Sequence, residues 1–353
     1  MGHTLGIIGY GGMGSWHAEN ITKRLDCVRV GGVYDIREEA RRRAEKDGFR
    51  TYESAEDLLD SHVDIILVST PNNFHKDYAV RALRKGKHVI SEKPVCLNSA
   101  ELEEIDRARL ASGKLFTVHQ NRRFDDDFNV VRKILRENII GRPYFINSRL
   151  FGEKGLPGDW RSCKDAGGGM LYDWSVHLID QILYLFDDTP HTVYAELKRV
   201  FFPEVDDCNR VNLIFDSGIN VQIVVDTWCY QSEARWHIGG NDGTAAIYGW
   251  PEYTGEIVKA NIKEIDWEEG VIFTSVGRTR TMAPRPKENL VRLPLPKLEK
   301  GERTDWEFFY RNVCAAIEGK EKLFVDMGQQ KRLMKVIDAC FLSDAEKRTV
   351  ILK

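Results

Sequence analysis

The chain has 353 residues, 42% hydrophobic and 30% charged, and its 51 basic and 54 acidic side chains leave a formal charge of -3. That balance carries no long-range field for nucleic acid or an anionic membrane surface, so small, neutral or weakly charged ligands suit it better. No apolar run approaches the roughly 18 to 20 residues that cross a bilayer, and the length allows about two domains.

Up to about residue 120, short β-branched runs alternate with amphipathic helical stretches, the pattern of βαβ units around a parallel sheet. Predicted strands run Thr4 to Ile8, Val28 to Tyr34, Val63 to Val68, Lys87 to Ile90 and Leu115 to His119. Ligands of such sheets sit at the strands' carboxyl ends. Gly9-Tyr10-Gly11-Gly12-Met13-Gly14 follows the first strand and opens the first helix. In that context the glycine spacing predicts a dinucleotide site, with the N–H groups of the helix start holding a pyrophosphate. Gly9 permits the tight turn, Gly11 the approach of phosphate and Gly14 the packing of helix on sheet. Asp35 ends the second strand, where a carboxylate accepts from an adenosine ribose and repels a 2'-phosphate, so NAD is the expected cofactor. Arg37, two residues on, gives NADP a guanidinium to pair with.

Glu38/Arg42 and Glu39/Arg43 have i,i+4 spacing on the next helix and predict a solvated face. Thr70-Pro71-Asn72-Asn73-Phe74-His75 ends the third strand, and Asn72 there either caps a helix, faces the cofactor, or does both. Ser91-Glu92-Lys93-Pro94 leaves the following strand, so Lys93 emerges at the carboxyl edge beside the nicotinamide end of a dinucleotide.

After Gly141-Arg142-Pro143 the rhythm changes to longer alternating strands. Val211, Leu213 and Phe215, a turn at Asp216-Ser217-Gly218, then Ile219, Val221, Ile223 and Val225 predict a hairpin with one apolar face. Residues 143 to about 275 read as a largely antiparallel sheet covered on one side, its other side available to a second copy. Four prolines from Pro284 to Pro296 mark an irregular extended segment before a helix from Asp305 to Glu318 and a closing helix from about Gly328 to Ala345.

Gly167-Gly168-Gly169-Met170-Leu171-Tyr172-Asp173-Trp174-Ser175-Val176-His177 carries the chemistry. A helix from Met170 to Leu185 places Asp173, His177 and Asp180 on one side, away from an apolar stripe of Leu171, Trp174, Leu178, Ile182 and Leu185. The pattern fits a proton-transfer pair in a cleft or an ordinary surface Asp-His pair, and the three glycines allow a close backbone approach, expected to be that of a cofactor and its substrate. The seven cysteines are scattered, with no Cys-x-x-Cys pair and no His pair at zinc spacing, so reduced thiols and no metal site are expected.

Together these segments resemble the glucose-fructose oxidoreductase / inositol dehydrogenase / rhizopine-catabolism (Gfo/Idh/MocA) family of NAD(P)-dependent sugar and polyol oxidoreductases. The resemblance rests on GIIGYGGMG, STPNNFH, SEKP, HQNRRFD and GGGMLYDWSVHLID, in that order along nearly the whole chain. It implies an α/β protein: an N-terminal Rossmann domain with a doubly wound parallel sheet (1-121) and a C-terminal α/β domain with an open, mostly antiparallel sheet (122-353). The active site would lie between them, with Lys93, Asp173 and His177 as the catalytic group and a cis Lys93-Pro94 bond. Gly12, Met13, Thr70, Pro71, His75 and Glu92 would join Gly9, Gly11, Gly14, Asp35, Arg37, Asn72 and Lys93 around the cofactor. Asn121, Arg122, Arg123, Trp160 and Arg161 would border the substrate or nicotinamide pocket, and Phe151 to Gly158 would form a mobile specificity loop.

Oxidising a secondary hydroxyl needs a hydride acceptor, a base for the O–H proton and a positive charge beside the developing alkoxide. Lys93 supplies the charge, His177 the base, and both qualify as first proton acceptor; Asp173 binds or orients. A sugar, glycoside or inositol-like polyol is the expected partner of a cytoplasmic homodimer or homotetramer with no leader segment. The same residues would serve a redox-neutral NAD-dependent glycosidase, and relatives turned nucleotide-binding regulator are expected to lack them.

Overall fold

Five buried β-branched strands alternating with helices build a parallel sheet at the N-terminal end of the computed structural model, which describes residues 2–186, 188–260, 270–280, 287–303 and 305–352. The strands are β1 (His3–Ile8), β2 (Val28–Tyr34), β3 (Ile65–Val68), β4 (His88–Ser91) and β5 (Phe116–Val118), in the order β2-β1-β3-β4-β5. Strand order reverses between β1 and β3, and a crevice for a ligand opens at the carboxyl ends of two such strands. Five helices serve this sheet: α1 (Gly12–Arg24), α2 (Glu38–Lys46), α3 (Ala55–Leu59), α4 (His75–Arg84) and α5 (Ser99–Ser112). The third strand starts at Ile65 rather than at the predicted Val63, and the Asp64 carboxylate just before it accepts from the Thr4 N–H at 2.8 Å and from its hydroxyl at 2.7 Å.

After α6 (Asp126–Arg136) the chain forms a nine-stranded sheet. Its strands are β6 (Pro143–Phe151), β7 (Thr192–Lys198), β8 (Cys208–Ile214), β9 (Asn220–Asp226), β10 (Trp236–Gly240), β11 (Gly243–Tyr248) and β12 (Thr254–Ala260), with β13 (Ile272–Thr274) and β14 (Gly277–Thr279) forming a separate hairpin. An edge strand, β15 (Leu290–Pro294), and a short β16 (Val350–Ile351) complete the set. The order is β15-β12-β11-β10-β6-β9-β8-β7-β16, antiparallel except where β6 runs parallel to β9. The predicted hairpin is β8 and β9, and β9 keeps Val221, Ile223 and Val225 buried at a period of two. Part of the proline-rich stretch, expected to be irregular, is strand β15, whereas Pro284 and Pro286 lie outside the described residues, as do 261–269 of the predicted sheet.

The predicted terminal helices are α8 (Trp306–Ile317) and α9 (Met327–Glu346), capped by Asp305 and Asp326. Both return to the first sheet. Thr117 donates to the Val325 carbonyl at 2.8 Å, Ser99 N–H to Asp338 at 3.0 Å, and the Tyr310 hydroxyl meets His17 Nδ1 at 2.7 Å. Such contacts give the two sheets a fixed relative position, which a site between them requires. All seven cysteines are free, and among the described residues no helix is long and apolar enough to cross a membrane.

Between Asn121 and the second sheet lies a buried ion pair: Arg123 Nε and Nη2 each meet an Asp180 oxygen at 2.6 Å. Arg123 thus serves the core, not the pocket that the resemblance implies for it, and its guanidinium stacks near Tyr184 and Phe324. Removing one partner leaves a buried charge unpaired. Asp180→Ala is therefore expected to cost about 3–5 kcal/mol, and the double change Arg123→Met with Asp180→Leu to recover most of it. Urea unfolding midpoints of the three proteins measure this.

Candidate active site

The glycine loop is shaped by what surrounds each glycine. Gly9 has φ of 97°, and a Cβ there would lie 2.6 Å from the Ser69 carbonyl oxygen; one on Gly14 would lie 2.0 Å from the Gly9 oxygen. A Cβ on Gly11 or Gly12 would meet nothing within 4 Å. The first pair of glycines is therefore demanded by the fold, and the second borders open space in front of α1, whose N-cap Gly11 offers no side-chain acceptor to the first N–H groups. Free N–H groups, Met13 among them, beside open space at a helix start fit a pyrophosphate.

Asp35 is buried and fixed as an acceptor by the Tyr10 N–H at 2.7 Å and the Arg37 N–H at 2.9 Å. Its other neighbour is the largely exposed Arg37 guanidinium, 3.4 Å away. Arg42 pairs with Glu38 as expected, but Arg43 abandons Glu39 and donates to the Tyr10 carbonyl while stacking on the Tyr10 ring. The solvated face thus gives one cation to the glycine loop.

Several residues expected at the cofactor instead hold the loops behind it. Asn72 does not cap: its amide donates to the Gly167 carbonyl at 2.8 Å, tying the two loops together. The buried His75 ring lies between two carbonyls, Pro94 2.7 Å from Nδ1 and Thr70 2.9 Å from Nε2, and in its neutral form donates its one N–H to one of them, while Pro71 enters a short 3-10 turn. Glu92 turns into the core, where one oxygen meets His17 Nε2 at 2.8 Å and His119 Nδ1 at 2.9 Å. Burial works against its charge, yet the two imidazoles hold its carboxyl well below the usual range. This is the one group of potential metal ligands among the described residues, and its close approaches are hydrogen bonds already satisfied within the protein. The Lys93-Pro94 peptide is cis.

Lys93 leaves this anchored turn and reaches Asp173, its Nζ donating to the carboxylate at 2.9 Å and to the backbone carbonyl at 2.6 Å. The segment carrying Asp173 is not the predicted α-helix. Leu171–Ser175 winds as a π-helix, with the Val176 N–H reaching back to the Leu171 carbonyl, before α7 (Val176–Leu185) begins. Wider turns of this kind recur at functional sites because they redirect side chains. Asp173 accordingly faces Lys93 and Arg161, whose Nε lies 3.4 Å from its second oxygen, and makes no hydrogen bond with His177. Burial raises its affinity for a proton, but Lys93 and then Arg161 overcome this and keep it ionised.

The expected polar side of that helix is buried as well: His177 is 4% exposed and Asp180 belongs to Arg123. His177 Nδ1 has no hydrogen-bond partner among the described residues. Burial first, then the charges of Lys93 and Arg122, push its pKa well below the ordinary imidazole value, so the ring is neutral at neutral pH. The three glycines before it answer to the protein itself. A Cβ on Gly168 would sit 2.3 Å from the Arg161 carbonyl oxygen, and one on Gly169, at φ of 102°, 2.3 Å from Asp206 Oδ1. Asp206 in turn accepts the Leu171 N–H at 2.9 Å and fixes where the π-helix starts.

Around His177 stand residues that local spacing did not reveal. Trp250 lies far along the chain, yet its ring meets that of Trp174 edge-on at 5.3 Å, and Arg122 packs against both. Trp160 lies beneath Arg161. Asn121 Oδ1 and Thr70 Oγ1 are buried without partners among the described residues, which suits an amide and a polyhydroxylated ligand in the cleft. The loop from Phe151 to Gly158 is fastened by Gly152 and Gly155 N–H groups to the Asp226 and Thr227 carbonyls, with Leu156 buried.

Residues 4–120 match the model of an oxidoreductase family with an NAD-binding Rossmann fold, and residues 128–246 match the C-terminal domain of the same group. The chain belongs to the Gfo/Idh/MocA oxidoreductase family. It is 26% identical over 354 residues to a Bacillus subtilis scyllo-inositol 2-dehydrogenase (NADP(+)), covering 99% of this chain and 96% of that one. A Thermotoga maritima myo-inositol 2-dehydrogenase is 31% identical over 269 residues, 74% of this chain and 76% of its own. Among solved structures, an NAD-binding protein from Listeria innocua superposes with a TM-score of 0.93 at 38% identity, covering 99% of both chains. The expected fold and cofactor class are thereby confirmed: an N-terminal NAD-binding Rossmann fold followed by a mixed, mostly antiparallel sheet.

Because Gly11 borders open space and Gly14 touches the Gly9 carbonyl, their alanine variants should part company. Gly11→Ala is expected to change stability by less than about 1 kcal/mol while weakening NADH binding, read by nucleotide fluorescence. Gly14→Ala is expected to lower the melting temperature whether or not nucleotide is present.

Proposed function

We propose that this oxidoreductase is an NAD-dependent dehydrogenase of a sugar or polyol hydroxyl, with Lys93, Asp173 and His177 as its reacting group. The observation that carries this is the Lys93 ammonium held 2.9 Å from an ionised Asp173, beside a neutral, unpartnered His177. Residues 1-121 would then bind the cofactor and 122-353 shape the substrate pocket. Bound NAD supplies a hydride acceptor.

The protein residues do the rest. A substrate hydroxyl hydrogen-bonded to Lys93 meets a positive charge that stabilises an alkoxide as it forms. His177 accepts the hydroxyl proton, for which a neutral ring is required. Asp173 aims Lys93, and its bond to Arg161 limits its own rotation. Inositol dehydrogenases among the relatives support an inositol or similar polyol as substrate. The NADP named for the Bacillus relative, together with exposed Arg37, supports a test of both nucleotides.

A panel of inositols, aldoses and glycosides offered with NAD and NADP, followed by NADH or NADPH absorbance, tests the reading. Turnover of at least one polyol is expected, and glycoside cleavage without net reduction would replace it with the redox-neutral reaction. His177→Ala should lower kcat by about 10²- to 10⁴-fold. Since its folded pKa is depressed, the imidazole loses its proton below pH 6.5 and stays a base above it, so kcat/KM for oxidation should be flat from pH 6.5 to 8 as far as His177 is concerned. A His177-dependent rise between pH 7 and 8 would contradict the assignment.

A further inference from the structure

The Arg122 guanidinium packs against two nearly perpendicular rings, its centre 5.0 Å from Trp174 and 4.6 Å from Trp250. Its own backbone carbonyl is fixed by Gln181 at 2.7 Å, and Gln181 is held in turn by Arg235. The two rings cover part of the cation and leave its N–H groups for hydrogen bonding. One of these, on Nη1, approaches Asp125 at 3.4 Å, and Asp125 is also bound by the Trp250 indole at 3.0 Å. The opposite edge, Nε and Nη2, makes no hydrogen bond to any described residue, and Nε is fully buried.

Resting on the dehydrogenase reading, we propose that this edge receives a carboxylate on the substrate, so that the enzyme acts on polyhydroxy acids of the aldonate or uronate type in preference to neutral sugars. The Nε/Nη2 edge of arginine matches a carboxylate with two parallel N–H bonds. A neutral diol could also accept both bonds, but charge-assisted bonds to a carboxylate are shorter and about twice as strong, and the carboxylate already paired with Arg122, that of Asp125, stands at 3.4 Å. The other cations of the cleft are already engaged: Lys93 and Arg161 share Asp173, and Arg161 also holds Asp159 at 2.7 Å. Arg122 is the cation with a free donor pair. It is close to the reacting group, because Trp174, on which it stacks, lies with its ring 5.8 Å from that of His177. An anion bound there would offset part of the positive field that His177 feels from Arg122.

The experiment compares gluconate and glucuronate with glucose and glucose 6-phosphate, for the intact chain and for Arg122→Gln and Arg122→Lys. With NAD present, kcat/KM for an acid should exceed that for glucose at least tenfold. In Arg122→Gln the acid should lose about a hundredfold, mostly in KM, and Arg122→Lys should recover only part because lysine lacks the fork. Equal or better use of the neutral sugar, or an acid preference that survives Arg122→Gln, would overturn the proposal. Tryptophan fluorescence of the NAD complex provides a readout without turnover. Saturable change with the acids, absent in Arg122→Gln whose NADH binding certifies its fold, supports the carboxylate site even if no NADH forms, an outcome that would count against the dehydrogenase reading alone. No change with either acid, or saturation by the sugar phosphate only, overturns the carboxylate assignment.

Discussion

The contact between Lys93 and Asp173 joins the two halves of this molecule at the point where chemistry is proposed. One partner leaves the fourth strand of the parallel sheet, the other belongs to a π-turn ahead of α7. Neither position is free to drift. Behind Lys93, the His75 ring lies between the Pro94 and Thr70 carbonyls while Glu92 is locked by His17 and His119. Behind Asp173, Asp206 fixes the Leu171 N–H, and Asn72 crosses to the Gly167 carbonyl. An ammonium and a carboxylate held this way need little reorganisation when charge develops on a substrate oxygen, which is how a preorganised site lowers a barrier.

The cofactor half was readable from sequence because its determinants are local. Gly9, Gly11 and Gly14 act within a single turn, Val28–Tyr34 is a strand with the bounds its residues suggest, and Asp35 follows directly. The catalytic half was readable only as a list of residues. Helical spacing put Asp173 and His177 on one face as a pair, whereas the π-turn sends Asp173 to Lys93, 80 residues away in the chain. Arg123 and Asp180 are 57 residues apart and form a core ion pair that no periodicity announces. The same holds for the cluster of Trp174, Arg122 and Trp250, because Trp250 reaches it through sheet order rather than sequence order.

The glycines before Asp173 show how a correct motif can carry an incorrect reason. Close approach was expected from a cofactor and a sugar; the structure shows the Arg161 carbonyl and the Asp206 carboxylate in those places. Tight protein packing there sets the start of the π-turn, and with it the direction of Asp173. Among the buried polar atoms without a hydrogen-bond partner in the described residues, His177 Nδ1, Asn121 Oδ1 and Arg122 Nε belong to the segments around the proposed cleft, where a ligand can satisfy them.

The central claim is that Lys93, held by Asp173, serves the reacting hydroxyl and not the nucleotide. Rapid mixing of the NAD complex with a turned-over polyol, comparing Lys93→Met with the unchanged chain, measures it most directly. The first-turnover rate of NADH formation should fall by about 10³-fold or more while the dissociation constant for NADH changes only a few-fold. Hydride transfer at an undiminished rate, or a loss explained wholly by failure to bind the nucleotide, would contradict the account.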